Sequence, residues 1–175
     1  MRIEAVDGDI TQQAVDAIVN AANPALLGGG GVDGAIHAAA GPALLAACRE
    51  LRRTTHPDGL AVGDAVATRA GNLPARWVVH TAGPNRRAGQ ADPALLASSF
   101  SRSLEVAGGL GARTVAMPAV GAGIYGWDVE EVARVAVAAV RETGGAGRAP
   151  SVELVRFVLW GDVAHGAFQE ALSRP

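Results

Sequence analysis

The 175-residue chain contains no lysine; all fifteen of its basic residues are arginine. That absence excludes Schiff-base chemistry, a lysine nucleophile and the phosphate-binding loop whose lysine reaches the phosphates. Cysteine is nearly absent as well. Cys48 stands alone, so no internal disulfide and no multi-cysteine zinc site can form. Neither sign of charge dominates: the net charge is −2, without the basic excess that tracks extended nucleic acid. No apolar run approaches the ~20 residues that cross a bilayer, and Met1–Ala5 opens no signal-peptide core. The expected location is therefore the cytoplasm, with no membrane partner. Arginine, alanine, glycine and valine in the absence of lysine are the outcome of GC-rich codon usage, which points to a bacterial source.

Apolar residues are plentiful, at 49% of the total, enough for one domain over residues 1–175 with a sizeable core. Strand-like and helix-like segments alternate along it. Arg2–Val6 alternates polar and apolar residues as an edge strand does, and Ala17–Asn20 is a short apolar run fit for a buried strand. Val32–Ala40 and Pro42–Leu51 read as helices, with Gly41 as the stop and Pro42 as a first helical position. Asp64–Thr68 and Trp77–Ala82 are β-like. Asp92 and Pro93 open a helix whose apolar face is Leu96, Phe100, Ser103, Leu104 and Ala107. Thr114–Met117 reads as a buried strand, Val129–Arg141 as a helix, Val152–Trp160 as a strand and Val163–Leu172 as a closing helix. This order specifies an α/β domain with helices on both sheet faces. Ligands of such sheets bind at the carboxyl ends of the strands.

Four consecutive glycines, Gly28–Gly31, run into the helix at Val32. Lacking Cβ atoms, they can turn sharply and aim bare N–H groups at one point, with the positive end of a helix behind them. That arrangement suits a phosphate. Asp33, just inside it, is either a first-turn helix acid or a carboxylate kept for chemistry. A second glycine loop, Gly121–Trp127, also follows a strand and precedes a helix. Two side-chain-poor loops on one rim can grip a diphosphate from both sides. Tyr125 either projects into the cleft between them or seals its own loop. Asn23 is either an Asx turn before Pro24 or a donor and acceptor for ribose hydroxyls and a water. Asn20 reads as a brace of the loop from inside. Asp9 is a turn former or an acceptor for an exocyclic amine, and Trp160 is core or a flat face for a base. His37, one turn past Asp33, reads as a satisfied helix histidine, while His80 and His165 carry no signal.

Taken together, Gly8–Thr11, Val19–Asn23, Leu27–Gly41, Trp77–Pro84 and Pro118–Trp127 resemble the macrodomain family, and within it the MacroD-type ADP-ribosylhydrolases. The resemblance runs in order through essentially the whole chain. It implies a three-layer α/β/α sandwich with a mixed, mostly parallel sheet of about six strands, and ADP-ribose as the ligand. By the same resemblance, Asp9 and Ile10 hold the adenine end and Trp160 stacks on it. Gly29, Gly30, Gly31 and Val32, with Gly121, Ala122, Gly123, Ile124 and Tyr125, enclose the diphosphate and distal ribose. Asn20 belongs to the substrate-binding set, and Asn23 and Asp33 match the catalytic pair. The implied activity is removal of mono-ADP-ribose from acidic side chains of ADP-ribosylated proteins, and hydrolysis of O-acetyl-ADP-ribose. A monomer is expected, with no cofactor and no metal. The alternatives are a non-catalytic reader of ADP-ribose, and a hydrolase acting on ADP-ribosylated nucleic-acid ends or on ADP-ribose 1″-phosphate.

The chain departs from the family at three places. Gly121 and Ala122 stand where many relatives have Ser-Thr, Trp127 is larger than the usual aromatic, and Asp128 replaces a proline. The last change is expected to loosen the second loop. The missing lysine excludes the lysine-dependent macrodomains, and the single cysteine argues against the zinc-dependent ones. Cleavage at C1 of the distal ribose builds positive charge on the sugar, as in glycoside hydrolysis. An ionised Asp33 would stabilise that charge and orient a water. Carboxylates are weak bases at neutral pH, so orientation and electrostatics are expected to outweigh proton abstraction. Asn23 cannot titrate, so its part is positioning.

Overall fold

Six strands form one sheet in the computed structural model, which describes residues 1–175. They are β1 (Arg2–Asp7), β2 (Ala17–Ala22), β3 (Ala65–Arg69), β4 (Trp77–Ala82), β5 (Thr114–Met117) and β6 (Leu154–Leu159). Their spatial order is β1-β6-β5-β2-β4-β3. Every neighbouring pair is parallel except β3 with β4, which is antiparallel at the sheet's edge. The helices are α1 (Gly31–Ala40), α2 (Pro42–Arg53), α3 (Pro93–Gly109), α4 (Val129–Gly145) and α5 (Asp162–Ser173). No single helix is long and apolar enough to cross a membrane.

Strand periodicity decides the layers, because successive side chains point to opposite faces. Ala17 and Val19 of β2 join the core built with Leu96, Phe100 and Leu104 of α3, Val132 and Val140 of α4 and Phe168 of α5. Ile18, between them, packs instead with Ile36 and Ala40 of α1 and Leu44 of α2. Val79 and Val78 of β4 divide in the same way. The molecule is therefore a three-layer sandwich, with α1 and α2 on one face and α3, α4 and α5 on the other. Phe157 of β6 lies 6.3 Å from Phe100 and 4.8 Å from Phe168 by ring centroids, so one aromatic ties the sheet to two helices. The alternation also governs polar residues. Asn20 and His80 each follow a residue of the α1–α2 face by two positions, and they are Cα partners in the β2–β4 register.

The element boundaries differ from the sequence reading at a few ends. β2 continues to Ala22, which places Asn20 inside the strand. α4 runs on to Gly145, with Thr143 buried in it and its hydroxyl donating back to the Ala139 carbonyl. β6 stops at Leu159, and Gly161, at φ +91, turns the chain into α5. Since β1, β2, β5 and β6 are parallel, the segments that leave their carboxyl ends meet on one rim.

Candidate active site at the carboxyl rim

Those segments enclose a cavity of about 640 Å³, within the range of roughly 300–1,000 Å³ usual for small-molecule sites. Asp9 and Ile10 enter from the end of β1, Gly31, Val32 and Ala35 from α1, and Ala122 and Gly123 from the second glycine loop. Trp160 closes the side above β6, with Val163 and Ala164 of α5. Asp9 is the one charged residue in the wall. Its Oδ1 accepts from the Thr11 backbone N–H at 2.8 Å and the Thr11 hydroxyl at 2.7 Å. It is thus a turn former that also borders the cavity. Trp160 is 83% exposed, which rules out the core reading and leaves its indole as a free face at the cavity mouth.

Asn23 and Asp33 converge on Gly29 of the first glycine loop; Gly31 of the same loop lines this cavity, whereas Gly28 and Gly29 line a second one of about 500 Å³ with Gly34 and His37. A Cβ on Gly29 would lie 3.1 Å from Asp33 Oδ2 and 3.4 Å from Asn23 Nδ2, so glycine is what leaves the pair its space. Asn23 Nδ2 donates to the Gly28 carbonyl at 3.0 Å, which sets the amide's orientation. Its Oδ1 is buried without a hydrogen-bond partner. Asp33 is buried in the first turn of α1. Its Oδ1 accepts from Asn20 Nδ2 at 2.8 Å and lies 3.4 Å from His37 Nε2, which leaves Oδ2 on the Gly29 side. Tyr125 senses the same carboxylate across the gap between the loops. Burial first, and then the Asp33 charge, raise its phenol above the ordinary range.

The remaining expected residues take more peripheral places. Gly30 precedes the first turn of α1 as its N-cap. Ile124 is 72% exposed at the loop tip, outside the cavity wall. Gly121 sits at φ +88, and a Cβ there would lie 3.0 Å from Trp127 Cδ1. The large Trp127 and the small residue at 121 therefore fit each other. Trp127 is buried, donates its indole N–H to the Pro84 carbonyl at 2.9 Å and carries the Arg86 guanidinium 4.9 Å above its ring.

Two expectations need correction. Asn20, included among the substrate-binding residues, is fully buried and absent from the cavity wall, because β2 runs two residues past it. Its contact is with Asp33, in keeping with the bracing role. Asp128 does not loosen the second loop. It is the N-cap of α4, and its Oδ1 accepts from the N–H groups of Glu130 and Glu131 at 3.0 and 3.1 Å.

His80 is a residue that sequence reasoning missed. Its Nδ1 lies 3.1 Å from Asn20 Nδ2, and its Nε2 lies 2.9 Å from Thr68 Oγ1 and 3.7 Å from Cys48 Sγ. Burial, reinforced by the neighbouring His37, holds its pKa down to about 3, so the ring is neutral. The signal was a polar residue within each of two apolar strands, but only the register shows that they meet. Cys48 is pushed up to about 11 by burial and then by the Asp33 charge, so its thiol is no nucleophile at neutral pH. The cavity-wall residues Pro118, Ala119 and Val163 were not among the expected site residues, having no chemical signature. No three His, Cys, Asp or Glu side chains come together in a way that would hold a metal ion.

Residues 19–136 match the Macro domain family. A Macro domain-containing protein of Streptomyces griseus is 54% identical over 171 residues, covering 98% of this chain and 94% of its own length. An O-acetyl-ADP-ribose deacetylase of Cronobacter sakazakii is 47% identical over 174 residues, covering 99% and 94%. The solved Oceanobacillus iheyensis macrodomain with ADP superposes at a TM-score of 0.88 with 37% identity, covering 96% of this chain and 88% of that one. A variant of that macrodomain with ADPR superposes at 0.87 with 35% identity, covering 97% and 90%. A family match that spans both glycine loops, joined to more than half identity over nearly the full length, makes this chain a member of the Macro domain family.

Proposed function

We propose that the chain binds ADP-ribose and hydrolyses its acyl esters, namely O-acetyl-ADP-ribose and mono-ADP-ribose carried on acidic side chains. The observation that carries this reading is the convergence of Asn23 and Asp33 on Gly29, two residues before Gly31 in the wall of a cavity that also holds Asp9 and Trp160. The adenine stacks on Trp160, with its exocyclic amine near Asp9. The diphosphate lies between the N-terminus of α1 and the Ala122–Gly123 backbone, where helix N–H groups favour an anion. The distal ribose then falls between Asn23, Asp33 and Tyr125. A ribose hydroxyl donating to Asn23 Oδ1 would satisfy an acceptor that has no partner within the chain. Asp33 Oδ2 orients the attacking water and stabilises positive charge developing on the sugar. Water supplies hydroxyl to the carbon it attacks and a proton to the departing oxygen. Attack at the sugar carbon or at the carbonyl therefore gives the same products, a carboxylic acid and ADP-ribose. The name of the Cronobacter relative and the nucleotides in the Oceanobacillus structures support the ligand class.

The test is a substrate panel: O-acetyl-ADP-ribose, and ADP-ribose linked through Glu, Ser, Arg and DNA phosphate, given to wild type and Asp33→Ala. The expected result is release of ADP-ribose from the acetyl and Glu esters. Asp33→Ala should lower kcat by about 10²-fold or more, while calorimetry still detects ADP-ribose binding. Tight binding without release from any member of the panel would make the protein a reader. Unchanged turnover in Asp33→Ala would remove that residue from the mechanism.

A further inference from the structure

We infer that His80 is a positioning residue for this reaction: as its neutral Nε2–H tautomer it orients the Asn20 amide, and through that amide the Asp33 carboxylate. The inference rests on the role proposed above for Asp33. Four side chains form the relay, and all are nearly closed to solvent: Asn20 at 0% exposure, His80 at 1%, Asp33 at 4% and Thr68 at 7%. Nothing in it can be reoriented at low cost by water.

The proton positions follow in order from the carboxylate. Only a donor can face Asp33 Oδ1 at 2.8 Å, so the Asn20 atom there is Nδ2. The same Nδ2 lies 3.1 Å from His80 Nδ1, which must therefore accept. A neutral ring that accepts at Nδ1 carries its proton on Nε2 and donates it to Thr68 Oγ1 at 2.9 Å. Asn20 Oδ1 has no partner, so its two donor contacts alone hold the amide. An Nδ1–H tautomer, or a protonated ring, would turn a donor against Asn20. The amide would then flip and set Oδ1 against the Asp33 carboxylate, which would repel it.

The relay is mounted on the sheet. Asn20 and His80 are Cα partners across β2 and β4, and His80 is partnered by Val66 across β4 and β3, two residues from Thr68. Each element packed on the ring contributes a defined neighbour: Asn20 from β2, Thr68 from β3, His37 from α1 at 6.4 Å between ring centroids, and Cys48 from α2. The sheet thereby dictates which Asp33 oxygen is occupied and which faces Gly29.

Two substitutions separate positioning from packing. His80→Asn keeps an acceptor at the δ position, facing Asn20, whereas His80→Gln places its amide at the ε position and loses that acceptor. With O-acetyl-ADP-ribose as substrate, kcat should fall by about tenfold or more in His80→Gln and by no more than about threefold in His80→Asn, with KM nearly constant in both. Nitrogen-15 NMR of wild type should show Nδ1 of His80 unprotonated and Nε2 protonated. An Nδ1–H tautomer in wild type would overturn the inference. So would equal loss of kcat in both variants, in step with their thermal unfolding midpoints. If wild type hydrolyses none of the panel, the functional reading fails. The tautomer still decides whether His80 orients the Asn20 amide.

Discussion

Asp33 owes its placement to what surrounds each oxygen: donors crowd Oδ1, and a glycine leaves room at Oδ2. Tyr125 offers a direct check on that geometry, because it is the chain's single tyrosine and tyrosinate absorbance reports on it alone. Burial and then the Asp33 charge raise its phenol. Asp33→Ala should therefore lower the ionisation midpoint of Tyr125, leaving only the part due to burial. An unmoved midpoint would separate the two groups. Gly121 is a second residue whose identity the geometry explains. Its φ of +88 disfavours a side chain, and the Trp127 ring occupies the direction of a Cβ. Introducing a hydroxyl there, as Gly121→Ser, should destabilise the fold by about 1–3 kcal/mol, measured by denaturant unfolding. Asn23, Asp33 and both glycine loops were legible from residue type and order. The inward bracing by Asn20 was legible too, but its partner His80 was not, because a polar residue in an apolar strand has no meaning until its neighbour across the sheet is known.

At the scale of elements, the second glycine loop is anchored where it enters α4. Trp127 ties it to Pro84, Arg86 pairs with Glu131 of α4 at 2.6 Å, and Asp128 caps that helix. Removing the cap with Asp128→Ala should cost about 1 kcal/mol, a melting point lower by about 2–4 °C for a chain of this size. The KM for O-acetyl-ADP-ribose should rise at the same time, because Ala122 and Gly123 belong to this loop. A melting point and KM both equal to wild type would count against the cap's contribution. The elements themselves were largely evident beforehand. The five residues expected to face the core from α3, Leu96, Phe100, Ser103, Leu104 and Ala107, are all buried there. Element ends were less evident. Asn20 was read as the close of a strand that continues to Ala22, since Ala21 and Ala22 carry no strong preference for strand over loop. Asp128 was judged by what it replaces, whereas its effect depends on the helix that starts immediately after it.

Over the whole molecule, polar groups held by burial or by hydrogen bonds shape the response to acid. His80 titrates at about 3 when folded, against an ordinary 6.5. Between these values the unfolded chain binds a proton that the folded chain refuses, so lowering the pH favours unfolding. Stability should fall as pH drops from about 6.5 toward 3. Asp16 acts lower in the range. Burial raises its carboxyl, but the N–H groups of Arg113 and Thr114, the Thr114 hydroxyl and Arg76 outweigh burial and leave it below the ordinary value. Its contribution is therefore present above the usual carboxylate pKa and lost as pH falls through the lowered one. Thermal unfolding followed by circular dichroism should show a midpoint that is highest near neutrality and declines toward acid. His80→Asn should flatten the upper part of that decline. A wild-type midpoint constant from pH 7 to about pH 4 would contradict the His80 assignment.

The order of residues alone determined the alternation of strands and helices, the two glycine loops and the candidacy of Asn23 and Asp33. These depend on local spacing and on the chemistry of single side chains. Only the tertiary structure decided that Trp160 stands free at a cavity mouth, which partner Asn20 braces, and that His80 completes a buried relay to Asp33. Those outcomes depend on which strands are neighbours and in what register. A register is the joint product of the whole sheet and of the helices packed on it, and no local stretch of sequence contains it.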